Sequence, residues 1–494
     1  MLLSHLPALQ VVVPLVSAPL CLLLRRPGYA WACALLVSWL VLAIAVLLAH
    51  RVYVGGTISY AIGAWATPWG IEYRVDMAGA LMILIITIIG AVVMPYARRS
   101  VAHEIPKKLT GLFYTCYLLC LTGLLGIVVT GDAFNLFVFL EISSLSSYVL
   151  ISMGSTRRAL TAAFQYLVMG TIGATFILIG IGLLYMMTGT LNMTELSQRI
   201  PEVANTRTIQ VAFAFVTVGV SIKLALFPLH QWLPNAYTFS PSVVSAFIAA
   251  TATKVGVYVL LRFFFTVFGI SFSFNAMHVG EILMLLAVAA ILIASLVAIF
   301  QDNIKRMLAW SSIAQIGYII LGISLATSDG VTAGMLHLFN HALIKCALFL
   351  AMGCIFLRLG SVELKDMHGL ARQMPWTMAA FVAGGLSLVG IPLTAGFISK
   401  WYLVSAVLTD GYWPLAVLIL VSSLLALIYI WRVVEAAYFY VPGATMHTVK
   451  EAPASMLVPV WLLIGANFYI GVNSGLLVDL AHQGANILIG QSLQ

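Results

Sequence analysis

The sequence is poor in charge. Only 8% of its 494 residues are Asp, Glu, Lys or Arg, whereas 62% are hydrophobic, and the mean hydropathy is +1.07. Because an ordinary soluble domain carries about 25% charged residues, this shortage excludes a soluble globular protein. The apolar runs are long and do not alternate with polar residues, which excludes the strands of a membrane β-barrel. The composition therefore indicates a polytopic, all-α membrane protein.

Clustered cysteines and nucleotide-binding motifs are also missing. The six cysteines lie in apolar segments and form no CxxC pair: Cys21, Cys33, Cys116, Cys120, Cys346 and Cys354. Haem, iron–sulfur and zinc sites need tighter clusters of cysteine and histidine, so we expect no cofactor and no bound metal. The sequence contains neither GxGxxG after a strand nor GxxxxGK[ST]. We therefore expect a protein that is not an enzyme on its own.

Fourteen apolar runs are long enough to cross a membrane, for which about 20 mainly apolar residues are needed. They lie near 3–24, 28–49, 75–97, 109–130, 133–153, 159–187, 209–233, 242–267, 278–300, 304–326, 331–357, 376–408, 412–440 and 455–482. The seventh contains Pro228 and the twelfth contains Pro392, and proline interrupts helical hydrogen bonding. We predict that both helices are broken inside the membrane, as in transporters whose interrupted helices line ion or substrate sites.

The positions of the two broken helices predict an internal repeat. Spans 4–8 and 9–13 form two units of five, and the broken helix is the fourth member of each. Because five is an odd number, the second unit enters the membrane in the opposite orientation. We predict N-terminal helices 1–3 at 1–108, a first repeat at 109–267, a second repeat at 268–440 and a C-terminal helix 14 at 441–494.

The basic residues of the loops predict the orientation of the chain. The loops after odd-numbered spans hold Arg25, Arg26, Arg98, Arg99, Lys107, Lys108, Arg157, Arg158, Lys305, Arg306, Arg358, Lys365, Arg372 and Lys450. The loops after even-numbered spans hold only Arg51, Arg74, Arg199 and Arg207. Cytoplasmic loops are enriched in Lys and Arg, so we expect both termini on the non-cytoplasmic side of the cell inner (plasma) membrane. The run 6–24 lacks the basic start and cleavage site of a signal peptide and reads as a retained span.

Five charged residues lie near the middle of separate spans: Glu141, Lys223, Lys254, Lys345 and Lys400. A charged side chain at the bilayer centre costs roughly 2.5–3.5 kcal/mol on the insertion scale. One such residue could extend to the membrane surface. Five are explained better as a pathway for charge through the membrane.

The first candidate site is a pair formed by Glu141 of the fifth span and Lys223, five residues before Pro228. A carboxylate and an ammonium stabilise each other's charged form, so their separation would control how readily the lysine releases its proton. The alternative is a structural ion pair that locks two helices. His230, beside the same break, is either a relay entry or a polar group that satisfies the break. Asp132 is a further possible site residue, or simply the cap of the fifth helix.

The second candidate site begins at Lys254 of the eighth span and continues through the second repeat. Lys254 has no acidic residue within a helical turn, and it either exchanges protons or is satisfied by carbonyls and water. His337, His341 and Lys345 follow each other at intervals of four residues, so they lie on one helix face. Such a face suits a water-assisted proton relay. Lys400 on the broken twelfth helix is the predicted end of this chain, and the alternative is a lysine that extends to the interface.

Several stretches resemble a known family. They are GDAFNLFVFLE, KLALFPLHQWLPNAY, NIKRMLAWSSIAQIGYI, HLFNHALIKCALFL and GIPLTAGFISKW. From about residue 75 to 440 the chain resembles the antiporter-like subunits of respiratory complex I and of Mrp-type cation/proton antiporters. The resemblance implies a fourteen-helix fold with two inverted five-helix repeats. It also assigns Glu141, Lys223, Lys254 and Lys400 to the family's charged positions on helices five, seven, eight and twelve.

The resemblance also implies a function. NLFVFLE is most similar to the D subunit of Mrp-type antiporters and to its relatives in membrane-bound hydrogenases. We therefore expect a membrane subunit of a multisubunit sodium(cation)/proton antiporter, with other hydrophobic subunits as partners, protons and sodium as the transported ions, and no nucleic acid. The alternative is a proton-pumping subunit of a redox complex of the NADH dehydrogenase or membrane-bound hydrogenase type. A third interpretation is a structural scaffold whose charges only hold the helices together, and five ionisable groups near mid-membrane argue against it.

Overall fold

A computed structural model describes residues 2–24, 26–441 and 449–490. Arg25 of the first basic loop and positions 442–448 of the predicted C-terminal segment lie outside the described residues. The described part forms the helices α1 (Leu6–Leu23), α2 (Pro27–Gly55), α3 (Met77–Glu104), α4 (Thr110–Val129), α5 (Ala133–Ser152), α6 (Arg157–Thr188), α7 (Met193–Val203), α8 (Arg207–Lys223), α9 (Trp232–Phe239), α10 (Ser242–Leu261), α11 (Val279–Ile299), α12 (Ile304–Ser324), α13 (Ser328–Leu359), α14 (Pro375–Val389), α15 (Ala395–Thr409), α16 (Trp413–Tyr438), α17 (Ala454–Val472) and α18 (Gly475–Ile489). A short antiparallel hairpin, β1 (Ile58–Ala61) and β2 (Glu72–Val75), lies between α2 and α3.

The helices account for fourteen membrane crossings in the described chain. Twelve helical stretches are long and apolar enough to cross a membrane individually. The seventh crossing consists of α8 and α9, and the twelfth consists of α14 and α15. The chain is therefore a multi-pass, all-α membrane protein with two inverted five-helix repeats, in each of which the fourth helix is the broken one. The residue boundaries of the repeats, at 108, 267 and 440, stay predictions.

The two breaks contain backbone that is not helical. After α8, residues 224–231 form turns, and Ala225 has a left-handed φ of 59°. After α14, Gly390 and Leu393 have φ values of 93° and 71°. Irregular backbone at membrane depth persists only where protein groups satisfy it. At the first break, the indole nitrogen of Trp232 donates to the carbonyl of Ile222 at 3.0 Å, which supplies one such partner.

The last crossing differs from the prediction. A single helix was expected over 455–482, but α17 ends at Val472 and α18 begins at Gly475. The break consists of Asn473 and Ser474, and Gly475 is the first residue of α18. Asn and Ser form hydrogen bonds that compete with helical ones, and Gly loses more backbone entropy in a helix. A hydropathy scan does not detect such a break, because it measures only how apolar the window is.

Packing divides the helices into a centre and a periphery. In α10 and α12, 94% of the most apolar stretch is buried within the protein, whereas the value for α2, α6 and α11 is 39%. The peripheral helices turn apolar side chains outward, as lipid contact requires. The central helices carry the side chains that are most isolated from lipid, and Lys254 belongs to one of them. The fold thus places Lys254 in its most enclosed part, whereas Glu141 lies on the less enclosed α5.

Candidate functional site

Glu141 and Lys223 are in direct contact. Lys223 is the last residue of α8, and its Nζ donates to Oε1 of Glu141 on α5 at 3.3 Å. The same ammonium donates to Oγ of Ser144 at 2.8 Å. The lysine side chain is 5% exposed and the glutamate side chain 25%. Because α8 ends at Lys223, the break fixes where this ammonium meets α5.

A small cavity of about 20 Å³ lies between Lys223 and α10. Its lining includes Lys223, Ser144 and Ser147 on one side and Ala252 and Val255 on the other. A volume of roughly 10–15 Å³ is enough to hold one water molecule. The cavity therefore offers a position for a water between the ion pair and the helix that carries Lys254.

Lys254 is buried in α10, with 1% of its surface exposed. Its Nζ donates to the carbonyl of Ala249 at 2.5 Å and contacts Oγ1 of Thr253 at 3.4 Å. Both partners are neutral groups of its own helix. A lysine ammonium carries three hydrogens, and the described hydrogen-bond partners here are two neutral oxygens without a carboxylate.

His337 joins three helices. Its Nδ1 lies 2.9 Å from Oγ of Ser399 on α15, and its Nε2 lies 2.8 Å from Oε1 of Gln315 on α12. A neutral imidazole has one donating and one accepting nitrogen. Since the amide oxygen of Gln315 accepts, Nε2 is the nitrogen expected to carry the hydrogen, and Nδ1 can then accept from Ser399. This arrangement holds the ring at a fixed orientation beside the second break.

His341 is buried next to His337, with ring centroids 6.1 Å apart and ring planes 8° from parallel. Neither of its ring nitrogens has a hydrogen-bond partner among the described residues. Buried polar atoms are normally paired with protein or with ordered water, so we expect water at this ring. His341 also lies within electrostatic range of Lys254 and Lys345. His341 is therefore a buried imidazole without a hydrogen-bond partner among the described residues, in the neighbourhood of two lysines.

Lys345 completes the predicted face of α13 and is completely buried. Its Nζ donates to the carbonyl of Leu308 at 2.8 Å and to Oγ of Ser311, both on α12. It also lies within electrostatic range of Lys254. The three residues predicted to share one helix face thus follow each other along a single unbroken helix.

Lys400 lies on α15 and turns back toward the second break. Its Nζ donates to the carbonyls of Leu388 and Val389 at 3.2 and 2.8 Å and to Oγ of Ser423 at 2.9 Å. These carbonyls belong to the last turn of α14, where the helix dipole is negative and attracts a cation. The ammonium also lies 4.9 Å from the centre of the Tyr318 ring. This buried, inward geometry is not that of a lysine that extends to the interface.

The remaining predicted residues lie at helix ends. Asp132 accepts a hydrogen bond from the backbone of Asn135 at 2.7 Å, so it caps α5. His230 lies in the first break near Pro228, and its ring centroid is 5.1 Å from that of Phe227. Pro392 lies between α14 and α15. These four positions shape the two breaks and the start of α5.

The sequence reasoning missed several polar side chains that contact the predicted residues: Ser144, Ser311, Gln315, Tyr318, Ser399 and Ser423. A polar residue within an apolar run was the available signal for Gln315. The buried ion pair in which Arg262 donates to Asp76 at 2.5 Å was not predicted from the sequence either. Asp76 caps α3 through the backbone of Gly79 at 2.9 Å, and this pair joins α3 to the end of α10.

Asp76→Asn is expected to lower the free energy of unfolding by about 3–5 kcal/mol, the usual effect of breaking a buried ion pair. Asparagine keeps the cap of α3, so the change isolates the lost charge. The matched control is Asp302→Asn, because Asp302 pairs with Arg432 at 3.2 Å while its side chain is 79% exposed. That change is expected to have an effect of less than about 1 kcal/mol. Thermal unfolding in detergent measures both, and equal shifts would contradict the prediction.

These features define a class of protein: helical membrane proteins in which broken helices surround buried ionisable side chains. The chain belongs to the family described as NADH:quinone oxidoreductase/Mrp antiporter, transmembrane, which it matches over residues 130–426. The resemblance inferred from the motifs is thereby confirmed.

Curated relatives cover almost the whole chain. The chain is 41% identical to NADH-quinone oxidoreductase subunit N of Desulforudis audaxviator, over 93% of this chain and 94% of that protein. It is 30% identical to the D subunit of the Na(+)/H(+) antiporter of Alkalihalophilus pseudofirmus, over 95% of this chain and 94% of that protein. Among solved structures, it is similar to a chain of the Mrp complex from Dietzia sp., with a TM-score of 0.91, 26% identity, and coverage of 100% and 98%. The match therefore extends over the complete fold.

Proposed function

We propose that this chain is the proton-conducting membrane subunit of a multisubunit cation/proton antiporter, with sodium as the expected cation. The observation that carries the proposal is the series of buried ionisable side chains in the enclosed centre of the fold. Ionisable groups inside a membrane protein are rare and costly, and they typically mark proton and ion pathways. The relation to the D subunit of a Na(+)/H(+) antiporter supports the same conclusion.

In the first repeat, the Glu141–Lys223 pair acts as the gate. At 3.3 Å, two unit charges attract by about 5 kcal/mol at an effective dielectric constant of about 20, and the partial exposure of Glu141 reduces this value. While the pair is closed, the ammonium of Lys223 is stabilised and holds its proton. When the pair opens, this stabilisation is lost and the proton can pass through the adjacent cavity toward α10.

From α10 of the first repeat into the second repeat, protons move through neutral sites and water. Lys254 passes a proton to the face of α13, where His341 is the group placed to exchange it with water. From there one branch leads to Lys345, and another leads through His337 toward Lys400. The Tyr318 ring is close to both His337 and Lys400, 5.5 Å from the ring centroid of His337 and 4.9 Å from the Lys400 ammonium. The proposed pathway thus ends at the second broken helix.

The second candidate function is a proton-pumping subunit of a redox complex. The observation in its favour is the higher identity to NADH-quinone oxidoreductase subunit N, 41% against 30% for the antiporter's D subunit. In such a complex, partner subunits would supply the driving force by electron transfer. The residues that move protons would be the same in both cases, so the two candidates differ in their partners.

The proposal also includes the orientation of the chain and its partner subunits. The chain lies in the cell inner membrane, with its basic loops in the cytoplasm and both termini on the opposite side. Each elementary charge that crosses a potential of 100 mV releases about 2.3 kcal/mol, which is the free energy available for driving a second ion. Other hydrophobic subunits of the complex provide the rest of the path for that ion.

Purification of the intact complex through a tag on this chain separates the two candidates. We expect mass spectrometry to find small hydrophobic partner subunits without bound redox groups. Iron–sulfur, flavin or nickel subunits that co-purify in stoichiometric amounts would contradict the antiporter and support the redox pump. Tagged chain extracted under the same conditions from cells that lack the neighbouring subunits is the control for nonspecific association.

A further inference from the structure

A large basic cavity lies at one end of the helix bundle, outside the proposed proton pathway. Its volume is about 1070 Å³. It is formed where α2, α4 and α17 begin and where α3 and α13 end. Five basic side chains contribute to its lining: Arg98, Arg99, His103, Lys107 and Arg358. The cavity therefore gathers cationic groups from separate helices around one open space.

The positive charge of this cavity is not balanced by a carboxylate among its described lining residues. Two acidic residues lie beside the lining, and both carboxylates are engaged elsewhere. Glu104 accepts from the backbone of Ser242 at 2.8 Å and from Ser100 at 2.6 Å. Glu451 offers Arg358 only its backbone carbonyl, at 2.6 Å, while its carboxylate accepts from the backbone of Trp376 at 2.8 Å. Arg98 is held over the ring of Trp31, with its guanidinium 4.8 Å from the ring centre. Such a site is electrostatically complementary to an anion.

An apolar groove continues from the basic cavity. Its volume is about 310 Å³, and it shares Pro95 and Ser455 with the cavity. The other lining residues are mainly apolar and come from α2, α3 and α17: Trp39, Val92, Val458, Pro459 and Leu462. Along α2, Trp39 lies eight residues beyond Trp31, which corresponds to about 12 Å at 1.5 Å per residue. The groove therefore runs from the basic end into the membrane-spanning part of the bundle.

We propose that the cavity and the groove together bind one anionic phospholipid. The phosphate lies among Arg98, Arg99 and Lys107, and an acyl chain lies along the groove toward Trp39. Basic pockets between transmembrane helices recognise anionic lipid headgroups by this charge complementarity. A free inorganic anion would use only the basic cavity, whereas the adjoining groove matches a molecule with both a charged and an apolar part.

The bound lipid would join the periphery of the protein to its centre. Helix α2 is one of the least enclosed helices, whereas α3 and α13 are mostly buried. A phospholipid that contacts α2, α3 and α17 fills space that side chains leave open. Its function is thus to position the N-terminal helices against the bundle.

Native mass spectrometry of the purified complex tests the site, with phosphatidylglycerol as the probe and phosphatidylcholine as the zwitterionic reference. Arg99→Gln combined with Lys107→Gln removes two charges from the cavity and leaves Arg98 stacked on Trp31. The matched control is Lys108→Gln combined with Arg372→Gln, which removes two exposed charges at the same end of the bundle. We expect the cavity variant to retain one phosphatidylglycerol fewer per complex than both the control and the unchanged protein.

A second variant tests the same site by volume instead of charge. Gly28 lines the cavity, and a Cβ atom added there meets no heavy atom within 4 Å, so the side chain of Gly28→Trp starts in open space and is expected to reduce the cavity volume. Gly182 has equally open surroundings but lies on α6, so Gly182→Trp is the control. Loss of one phosphatidylglycerol only in Gly28→Trp is expected. Unchanged retention in both cavity variants, equal loss of phosphatidylcholine, or loss of a protein subunit in place of the lipid would overturn the proposal.

Discussion

Glu141→Gln is expected to reduce proton transport by about 10²-fold, the usual contribution of a group that takes part directly in proton transfer. Glutamine keeps nearly the volume of the side chain and removes its charge. Lys223 then loses the carboxylate that lies 3.3 Å from its ammonium, so the gate has no closed, charged state. Transport is measured in inverted membrane vesicles with a pH-sensitive dye, and assembly is checked by recovery of the complex.

The control for this variant is Glu195→Gln. Glu195 pairs with Arg199 at 3.2 Å on α7, and the arginine side chain is 44% exposed. The change removes a carboxylate from an ion pair outside the proposed pathway, so transport should stay near that of the unchanged protein. Transport by a fully assembled Glu141→Gln variant at the control level would show that the pair is only structural.

Lys254→Met is expected to abolish transport to within the background, a loss of about 10²-fold or more. Methionine is a flexible apolar side chain of similar length and has no exchangeable proton. Because the ammonium of Lys254 contacts only neutral groups among its described hydrogen-bond partners, its removal leaves no unpaired charge behind. We therefore expect the complex to assemble and to keep its thermal stability, so that the effect is specific to transport.

Lys365→Met is the matched control, because Lys365 lies in the loop after α13 and carries no predicted role in transport. The same vesicle assay compares the two variants at equal protein content. Normal transport in Lys254→Met would remove the central member of the proposed chain. In that case His341 and Lys345 would have no donor on α10, and the proposed relay from α10 to α13 would be wrong.

The sequence was sufficient to predict the class of fold because membrane crossing depends on local composition. Apolar runs of about 20 residues identified the crossings, and proline marked the two breaks at Pro228 and Pro392. The break at Asn473 was not predicted. Two polar residues interrupt the helix there, but they change the mean hydropathy of a window of about 20 residues too little to be detected. The position of helix ends is therefore the part that hydropathy cannot supply.

The candidate site could be predicted only in part. The spacing of His337, His341 and Lys345 along one helix follows from helix geometry, and α13 is continuous through all three. By contrast, the contacts of His337 with Gln315 and Ser399 join three helices. Their formation depends on how the helices pack, and nothing in the spacing of one helix fixes that arrangement.

The two repeats hold their lysines in different ways. In the first, Lys223 is the last residue before the break and faces a carboxylate. In the second, Lys400 follows the break and faces the carbonyls of Leu388 and Val389. Full opposite charge attracts an ammonium more strongly than carbonyl dipoles do. This difference explains why we assign the gate to the first repeat and proton exchange to the second.

The central claim is that this chain carries protons in exchange for a cation. The most direct measurement uses the purified complex in proteoliposomes that contain a pH-sensitive dye. We predict that an imposed sodium gradient changes the internal pH, and that the change disappears in Glu141→Gln and in Lys254→Met. An internal pH that does not respond to sodium or potassium gradients, with an intact and fully assembled complex, would contradict the account.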